Sequence, residues 1–96
     1  MRPKILNRDE IESRASEISW KYSGVNLFKK YTFMKYLEGI NFVTIIGELA
    51  ERLDHHPTLT IGYCYVEVFL STHEPEGITE LDFQLAKMIE DSYKAE

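Results

Sequence analysis

The stretch from Met34 to Leu53 places the strongest constraint on what this chain can fold into. Apolar residues recur there three or four positions apart, which is the period of one face of an α-helix. Together with Phe33, which lies just before the stretch, these residues are Leu37, Ile40, Val43, Gly47, Ala50 and Leu53. Four more apolar residues widen this face: Phe42, Ile45, Ile46 and Leu49. The pattern predicts a long central helix that covers a sheet, and we expect Pro57 to close it because the residue before a proline disfavours the α region.

The segments on either side of this helix have the composition of strand pairs. WKYSGVNLFKKYTF, which starts at Trp20, has aromatic and β-favouring residues on both sides of a turn that contains Gly24 and Asn26, so it predicts a β-hairpin. TLTIGYCYVEVFLST, which starts at Thr58, predicts two strands that bend near 62–65. A single long strand remains an alternative for this second segment, because it lacks a strong two-residue turn signal.

Two amphipathic segments predict helices at the ends of the chain. Asn7 can cap a first helix that carries Ile11, Ala15 and Ile18 at helical spacing. After a break at Pro75 and Gly77, Thr79 opens a last helix. Its apolar side consists of Leu81, Leu85, Met88 and Ile89. The order helix-strand-strand-helix-strand-strand-helix predicts an α+β fold in one domain over residues 1–96, a four-stranded antiparallel sheet with the helices on one face.

Composition narrows the classes of function. A chain of 96 residues with 44% hydrophobic residues suits one domain with one core. Its 11 basic and 16 acidic residues argue against nucleic acid or an anionic membrane as the main partner, since both bind clustered lysine and arginine. The single cysteine, Cys64, cannot form an internal disulfide, and no stretch has the roughly 20 apolar residues of a membrane span. We therefore expect a cytoplasmic protein.

Three histidines occupy two places that the predicted fold can bring together. His55 and His56 follow the central helix, whose dipole favours a cation there, and His73 follows the last predicted strand. If the intervening segment pairs as a hairpin, its two ends are adjacent and the three imidazoles can converge. Surface or capping histidines, acid/base chemistry and a metal site all remain open. The metal site is disfavoured because adjacent histidines point in divergent directions and no i, i+4 pair is present.

Several other residues have an ordinary structural interpretation. Asp82 lies three positions after Thr79 and can complete a capping box, yet it shares a helix face with apolar residues, an unusual place for a carboxylate without another task. Glu51, one turn before the histidine pair, is by itself a solvated helix residue. Trp20 and Tyr63 are by default packing residues of a hairpin and a strand.

Together these positions form a longer pattern. Glu51, His55-His56-Pro57, Tyr63, His73 and Asp82 follow one another with three, five, nine and eight residues between them. This run closely resembles the signature of the pterin-4a-carbinolamine dehydratases, and the similarity covers roughly residues 20–90, with flanks such as AERLDHHP and LSTHEPEGITELDFQLA. The chain departs from the family pattern at Leu59, Ile61 and Gly62, which is where substrate preference is least defined by the resemblance.

The resemblance implies a reaction, the loss of water from 4a-hydroxytetrahydropterin to give quinonoid dihydropterin. This substrate is the product that a pterin-dependent aromatic hydroxylase leaves, so the implied role is pterin recycling. The pterin is the substrate, and no cofactor or metal is implied. Family members form dimers and tetramers, so the resemblance also implies a homodimer or homotetramer.

The resemblance further implies roles for individual residues. His55 and His73 would act as the acid/base pair, and His56 would bind and polarise the hydroxyl group. Glu51 and Asp82 would orient imidazoles or bind the pterin ring. Other residues expected to contact the substrate are Trp20, Asp54, Tyr63, Ser71, Thr72 and Glu74.

A non-enzymatic alternative comes from the same family. Some members resemble a dimerisation cofactor that binds a homeodomain transcription factor through a helical surface, so the fold can also serve as an interaction module. The intact pattern of acid/base residues favours the enzyme, because a binding module has no need of those residues at those distances.

Overall fold

The computed structural model describes residues 3–95 and builds three helices and a four-stranded antiparallel sheet around one core. The helices are α1 (Arg8–Glu17), α2 (Tyr36–Leu53) and α3 (Glu80–Lys94). The strands are β1 (Lys21–Tyr22), β2 (Leu27–Thr32), β3 (Thr58–Gly62), β4 (Tyr65–Leu70), β5 (Thr72–His73) and β6 (Glu76–Gly77). The main sheet has the order β1-β2-β4-β3. The predicted α+β fold is confirmed.

The first predicted hairpin joins β1 to β2. Ser23 closes its turn, since the Ser23 hydroxyl oxygen accepts a hydrogen bond from the backbone N–H of Asn26 over 2.9 Å. Gly24 has a φ of +97°, a conformation that favours glycine because it lacks a Cβ atom. The turn therefore forms at the SGVN sequence that predicted it.

The second predicted hairpin joins β3 to β4. Gly62 pairs with Tyr65, so the connection consists of Tyr63 and Cys64 alone. The alternative of one long strand is therefore wrong. A Cβ atom at position 62 would lie 2.1 Å from the Tyr65 ring, so the ring covers the backbone of Gly62 and would have to move for a larger residue.

The face of α2 that packs on the sheet is narrower than the predicted one and lies largely within it. Its buried residues are Gly39, Phe42, Ile46, Leu49 and Ala50. Phe42 packs against Tyr31 of β2 with the ring centroids 5.1 Å apart, whereas Leu37 of the predicted face is 73% exposed. Because the predicted face is wide, residue spacing did not determine which of its members, such as Leu37, lie outside the core. Within residues 3–95, no helix combines the length and the apolar composition needed to cross a membrane.

Helix α2 ends at Leu53, the last residue of the predicted stretch, but Pro57 is not the residue that ends it. Asp54 adopts a left-handed conformation with a φ of +49°, and the N–H of His55 donates to the carbonyl of Ala50 over 3.0 Å. This is the bonding of a left-handed helix end, in which aspartate is tolerated better than most residues. The prediction that Pro57 closes the helix is therefore wrong, and the turn at Asp54 sets the direction in which the two histidines leave the helix.

The segment between β4 and α3 contains a small hairpin that the sequence did not predict. Thr72 pairs with Gly77 and His73 with Glu76, which places His73 on a defined strand, β5, instead of in a loop. Helix α3 begins after Thr79 as predicted, and the backbone N–H of Thr79 donates to the Asp82 side chain over 2.9 Å.

Helix α1 begins after Asn7 as predicted, with the Asn7 side chain accepting from the N–H of Glu10. Arg14 of this helix joins it to α3. Its guanidinium lies over the Phe83 ring at 4.4 Å and donates two hydrogen bonds to the Glu80 carboxylate, of 2.6 and 2.7 Å. These hydrogen bonds hold the pKa of Glu80 below its ordinary value.

The Glu80–Arg14 pair predicts a pH-dependent contribution to stability. Because the folded-state pKa of Glu80 is lowered, the contribution is present above the ordinary glutamate pKa of 4.5 and is lost as the pH falls through the folded value. The Glu80 side chain is 66% exposed, so solvent screening limits the effect to about 0.5 kcal/mol. Chemical denaturation should find Glu80→Gln less stable than the unmodified protein at pH 7 and equally stable near pH 3. Glu48→Gln, at an exposed position of α2, is the control. A stability difference between Glu80→Gln and the unmodified protein that persisted near pH 3 would contradict the prediction.

Candidate active site

The register of β3 and β4 brings the two histidine-containing segments to the same end of the sheet. Thr58, the first residue of β3, pairs with Phe69, the last residue but one of β4. The chain before Thr58 and the chain after β4 therefore meet, and a pocket of about 390 Å³ opens between them. Its lining consists of Pro3, Asp54, His55, His56, Ser71, Thr72, His73, Glu74 and Leu81. All three histidines of the chain thus lie around one cavity.

His55 is held by a buried carboxylate. Its Nε2 atom lies 2.6 Å from Oδ1 of Asp82, whose side chain is 0% exposed. A carboxylate that accepts hydrogen bonds fixes the imidazole tautomer, because the nitrogen facing it must carry the proton. Nε2 is therefore the donor to Asp82, and Nδ1 is the ring atom left to exchange a proton with a ligand in the pocket.

The second oxygen of Asp82 is held by two threonines. Oδ2 accepts from the backbone N–H of Thr79 over 2.9 Å and from the hydroxyl of Thr72 over 2.7 Å. The two threonine hydroxyl oxygens lie 2.8 Å apart. Because the only hydroxyl proton of Thr72 goes to Asp82, Thr79 is the donor between them. Thr72 was expected to contact substrate, but its buried hydroxyl is committed to Asp82.

Thr72→Val is therefore expected to destabilise the protein by about 1–3 kcal/mol, the typical cost of leaving a buried polar group without its partner. Thr72→Ser keeps the hydroxyl and should retain most of the stability. The measurement is the free energy of unfolding in denaturant. Thr60→Val, at an exposed position of β3, is the control. A Thr72→Val variant as stable as the unmodified protein would show that the hydroxyl network contributes nothing.

His56 and Glu51 form a second imidazole–carboxylate pair at the surface. Nε2 of His56 lies 2.5 Å from Oε2 of Glu51, and the two side chains are 53% and 79% exposed. Exposed pairs of this kind add little to stability, so the main consequence is the orientation of the ring. His73 is also exposed, and within residues 3–95 its ring makes no hydrogen bond.

Three more of the expected substrate contacts line the pocket. Asp54 and Glu74 are exposed and bring carboxylates to its rim, and Ser71 is half-buried and brings a hydroxyl. The pocket is thus bordered by hydrogen-bond acceptors as well as by imidazoles.

Trp20 and Tyr63 lie elsewhere. Trp20 is 3% exposed and packs edge-on against Tyr31 at 6.2 Å. Tyr63 is 81% exposed at the β3–β4 connection, the end of the sheet opposite the histidines, where its ring stacks on Tyr36. The structure does not bring either residue to the pocket of this chain, which agrees with their ordinary interpretation as packing and strand-end residues.

Some participants were not predicted as site residues. Pro3 and Leu81 line the pocket, and Thr79, which was predicted only as a helix cap, donates to Thr72. The capping-box spacing of Thr79 and Asp82 could have indicated Thr79 as a site residue. A helix cap that is bonded to a buried aspartate lies next to the group that this aspartate binds. The family departures at Leu59, Ile61 and Gly62 lie along β3 and do not line this pocket.

A metal site was the alternative interpretation of the three histidines, and it requires a group of donor side chains. Among residues 3–95, no group of three or more His, Cys, Asp or Glu side chains is arranged to hold a metal ion. At least one nitrogen of His55 and one of His56 already face carboxylates.

Sequence comparisons place this α+β fold with its histidine pocket among the dehydratase-like proteins. The family model described as pterin 4 alpha carbinolamine dehydratase matches residues 4–92. The chain belongs to that family.

Relatives support the same assignment. A protein of Sulfolobus acidocaldarius is 42% identical over 88% of this chain and 93% of its own length. One of Natronomonas pharaonis is 40% identical over 90% of this chain and 92% of its own length. Both carry pterin-4-alpha-carbinolamine dehydratase as a provisional name.

Solved structures confirm the fold. A protein of Brucella melitensis described as a transcriptional coactivator/pterin dehydratase superposes with a TM-score of 0.85 at 27% identity, covering 94% of this chain and 98% of its own. A pterin dehydratase-like protein described as a RuBisCO assembly factor of the alpha-carboxysome has a TM-score of 0.62 at 22% identity. The match covers 75% of this chain and 83% of that protein's chain. This second likeness concerns the fold alone.

Proposed function

We propose that this protein is an enzyme, a dehydratase (hydro-lyase) that removes water from 4a-hydroxytetrahydropterin to give quinonoid dihydropterin. The observation that carries the proposal is the convergence of three histidines on one pocket, with His55 backed by the buried carboxylate of Asp82. Membership of the family supplies the substrate class.

The reaction requires two proton transfers. The C4a–O bond breaks and its electron pair leaves with the oxygen, which departs as water only if it receives a proton. The N5–H bond supplies the electrons of the new C4a=N5 double bond, and its proton goes to a base. No net redox change occurs, and one acid and one base, each able to titrate near neutrality, are sufficient. Histidine meets this requirement, and acid/base help of this kind gives about 10²–10⁴ in rate.

The geometry supports distinct roles for the three imidazoles. His55 presents Nδ1 while Asp82 holds Nε2, so it can exchange a proton without changing its orientation. His73 has an exposed ring on the opposite wall, and we assign the acid/base pair to these two. His56, oriented by Glu51, binds the leaving hydroxyl and polarises it.

The rim residues suit the pterin ring. A pterin presents N–H donors on its pyrimidine edge, and the carboxylates of Asp54 and Glu74 are acceptors at the pocket mouth. Thr72 acts through Asp82 and so is a positioning residue. Trp20 and Tyr63 would reach a pterin only from another subunit or after rearrangement, so their substrate contacts stay predictions.

The wider role follows from the substrate. We propose that the protein recycles pterin for an aromatic hydroxylase in the cytoplasm, a compartment in which a free thiol such as Cys64 stays reduced. We also propose a homodimer or homotetramer, because α2 leaves Leu37 exposed and β3 is an edge strand of the sheet. Light scattering tests the assembly, and a mass near that of one chain would contradict it.

The deciding experiment is the dehydration rate of synthetic 4a-hydroxytetrahydropterin with and without the purified protein, followed by the absorbance of the quinonoid product. A rate that rises in proportion to protein concentration supports the proposal. A rate equal to that of buffer alone would overturn it.

An interaction module is the second candidate, favoured by the coactivator part of the Brucella melitensis description. The exposed side of α2 would provide the contact. The two functions separate experimentally, because a module would bind a partner with His55 and His73 replaced, whereas the dehydratase would lose its activity.

A further inference from the structure

Two of the three histidines around the pocket are backed by a carboxylate. Nε2 of His55 lies 2.6 Å from Oδ1 of Asp82, and His56 is paired with Glu51. Neither carboxylate belongs to the lining of the histidine pocket, so each one holds its imidazole from behind. His73 is the third histidine of the lining, and within residues 3–95 its ring makes no hydrogen bond.

The β5–β6 hairpin places another carboxylate opposite His73. His73 pairs with Glu76 in the antiparallel register, and both side chains are exposed. Directly opposite residues of an antiparallel pair point to the same face, with their Cβ atoms about 4.5–5.5 Å apart. The Glu76 carboxylate can therefore reach the imidazole by rotation of its own side chain, without movement of the backbone. Hydrogen bonds of catalytic groups often become short and well aligned only when the substrate is bound.

A second cavity, of about 480 Å³, shows on which side of His73 this carboxylate lies. The cavity is located between the β1–β2 turn and β6, and both His73 and Glu76 line it. His73 also lines the histidine pocket, whereas Glu76 does not. The imidazole of His73 thus lies between the carboxylate and the histidine pocket, as the imidazoles of the other two histidines do. One ring nitrogen can face Glu76 while the other faces the pocket.

Glu74 is the other carboxylate close to His73 in the sequence. It lies in the turn between β5 and β6 and lines the histidine pocket itself. An acceptor in the lining is available to the substrate, whereas an acceptor behind the ring is available to the imidazole. Glu76 is therefore the better placed of the two to orient His73.

The backbone of β6 is held by the N-terminal segment of the chain. The N–H of Leu6 donates to the carbonyl of Ile78 over 2.9 Å, and a Cβ atom at Gly77 would lie 3.0 Å from Cγ2 of Ile5. These contacts do not involve the side chains of the β5–β6 pair. Removal of the carboxylate from β6 should therefore leave the hairpin and its register intact.

We propose that Glu76 is a positioning residue for His73. Its carboxylate accepts a hydrogen bond from one ring nitrogen of His73, which fixes the tautomer and presents the other nitrogen to the substrate. This proposal rests on the proposed function, because it assigns a partner to one member of the acid/base pair. Each of the three imidazoles would then have its own carboxylate.

The kinetic test is the replacement Glu76→Ala, with 4a-hydroxytetrahydropterin as substrate. It should lower kcat about 10-fold, the low end of the usual effect of losing a group that orients a functional imidazole, because water partly replaces an exposed carboxylate. KM should stay within about twofold, since the lost interaction acts on a proton carrier and not on bound substrate. Glu76→Asp keeps the carboxylate and should recover most of the rate. Glu48→Ala, an exposed change on α2, is the matched control and should alter neither constant.

A double-mutant cycle tests whether Glu76 acts through His73. In a His73→Ala background, Glu76→Ala should cause no further fall in kcat, because the group that it orients is already absent. A fall equal to that in the unmodified background would overturn the proposal. A rise in KM at constant kcat would also overturn it, because Glu76 would then be a substrate contact. All variants should unfold at nearly the same denaturant concentration as the unmodified protein.

The ¹⁵N chemical shifts of the imidazoles provide a measurement that does not depend on activity. The chain has three histidines, so His73→Ala assigns the ring signals of His73. One tautomer of His73 should predominate in the unmodified protein, and Glu76→Ala should give a mixture of the two. An active protein whose kcat and His73 signals do not respond to Glu76→Ala would overturn the positioning role and leave the dehydratase intact. An inactive protein whose His73 signals do respond would overturn the proposed function and leave the pairing of the two side chains intact.

Discussion

Replacement of His55 or His73 by alanine is expected to lower kcat for dehydration of 4a-hydroxytetrahydropterin by about 10²–10⁴-fold, the usual contribution of a positioned acid or base. Each imidazole is assigned one of the two proton transfers, so its removal leaves that transfer without its assigned acid or base. The measurement is the steady-state rate across a pH series. KM should change far less than kcat, because the lost interaction is made in the transition state.

Replacing His73 and replacing His55 should have different effects on the free energy of unfolding. His73 is exposed and makes no hydrogen bond within residues 3–95, so His73→Ala should unfold at nearly the same denaturant concentration as the unmodified protein. His55→Ala removes the partner of a buried carboxylate and should destabilise the fold. If both variants retained turnover within a factor of two, the acid/base assignment would be wrong.

Asp82→Asn is expected to reduce both activity and stability. The amide that replaces one oxygen donates where His55, Thr72 or Thr79 already donates, so at least one buried donor loses its acceptor. We expect a loss of about 3 kcal/mol in the free energy of unfolding and a fall in kcat of about 10²-fold or more. Denaturant unfolding and steady-state rates measure the two effects.

The matched control is Asp91→Asn on the same helix. Asp91 is 62% exposed and, within residues 3–95, its side chain pairs only with Lys87 at 3.5 Å, so its replacement should change stability by less than about 0.5 kcal/mol and leave kcat unchanged. An Asp82→Asn variant that kept the rate and stability of this control would show that Asp82 neither orients His55 nor supports α3.

The sequence predicted the parts of the fold whose signals are local. The helix starts at Asn7 and Thr79 depend on side chains within one turn, and the SGVN turn depends on four consecutive residues, so all three were confirmed. The predicted face of α2 contains most of its buried residues, but the exposure of Leu37 was missed, because a helix apolar on several sides carries no local signal for which members stay outside the core. The end of α2 at Leu53 was predicted, but the left-handed turn at Asp54 that produces it was missed, since aspartate adopts this conformation less regularly than glycine.

The candidate site was predictable only in part. The meeting of His55, His56 and His73 follows from one hairpin register, which alternation of residue types could predict. The hydroxyl chain from Thr79 through Thr72 to Asp82 depends on contacts between segments 7 and 10 residues apart, which no periodicity encodes. The position of Tyr63 at the far end of the sheet likewise follows from the three-dimensional register and not from the spacing of a signature.

Asp82 caps a helix with the same carboxylate that holds an imidazole, and this has a practical consequence for engineering the protein. A catalytically silent version, needed to ask whether the fold has a second task as an interaction module, cannot be made cleanly at this position. Any change there alters the first turn of α3 together with the chemistry, so a lost interaction could reflect a frayed helix. The exposed ring of His73 offers the separable position: a substitution there removes a proton carrier and leaves every helix cap in place.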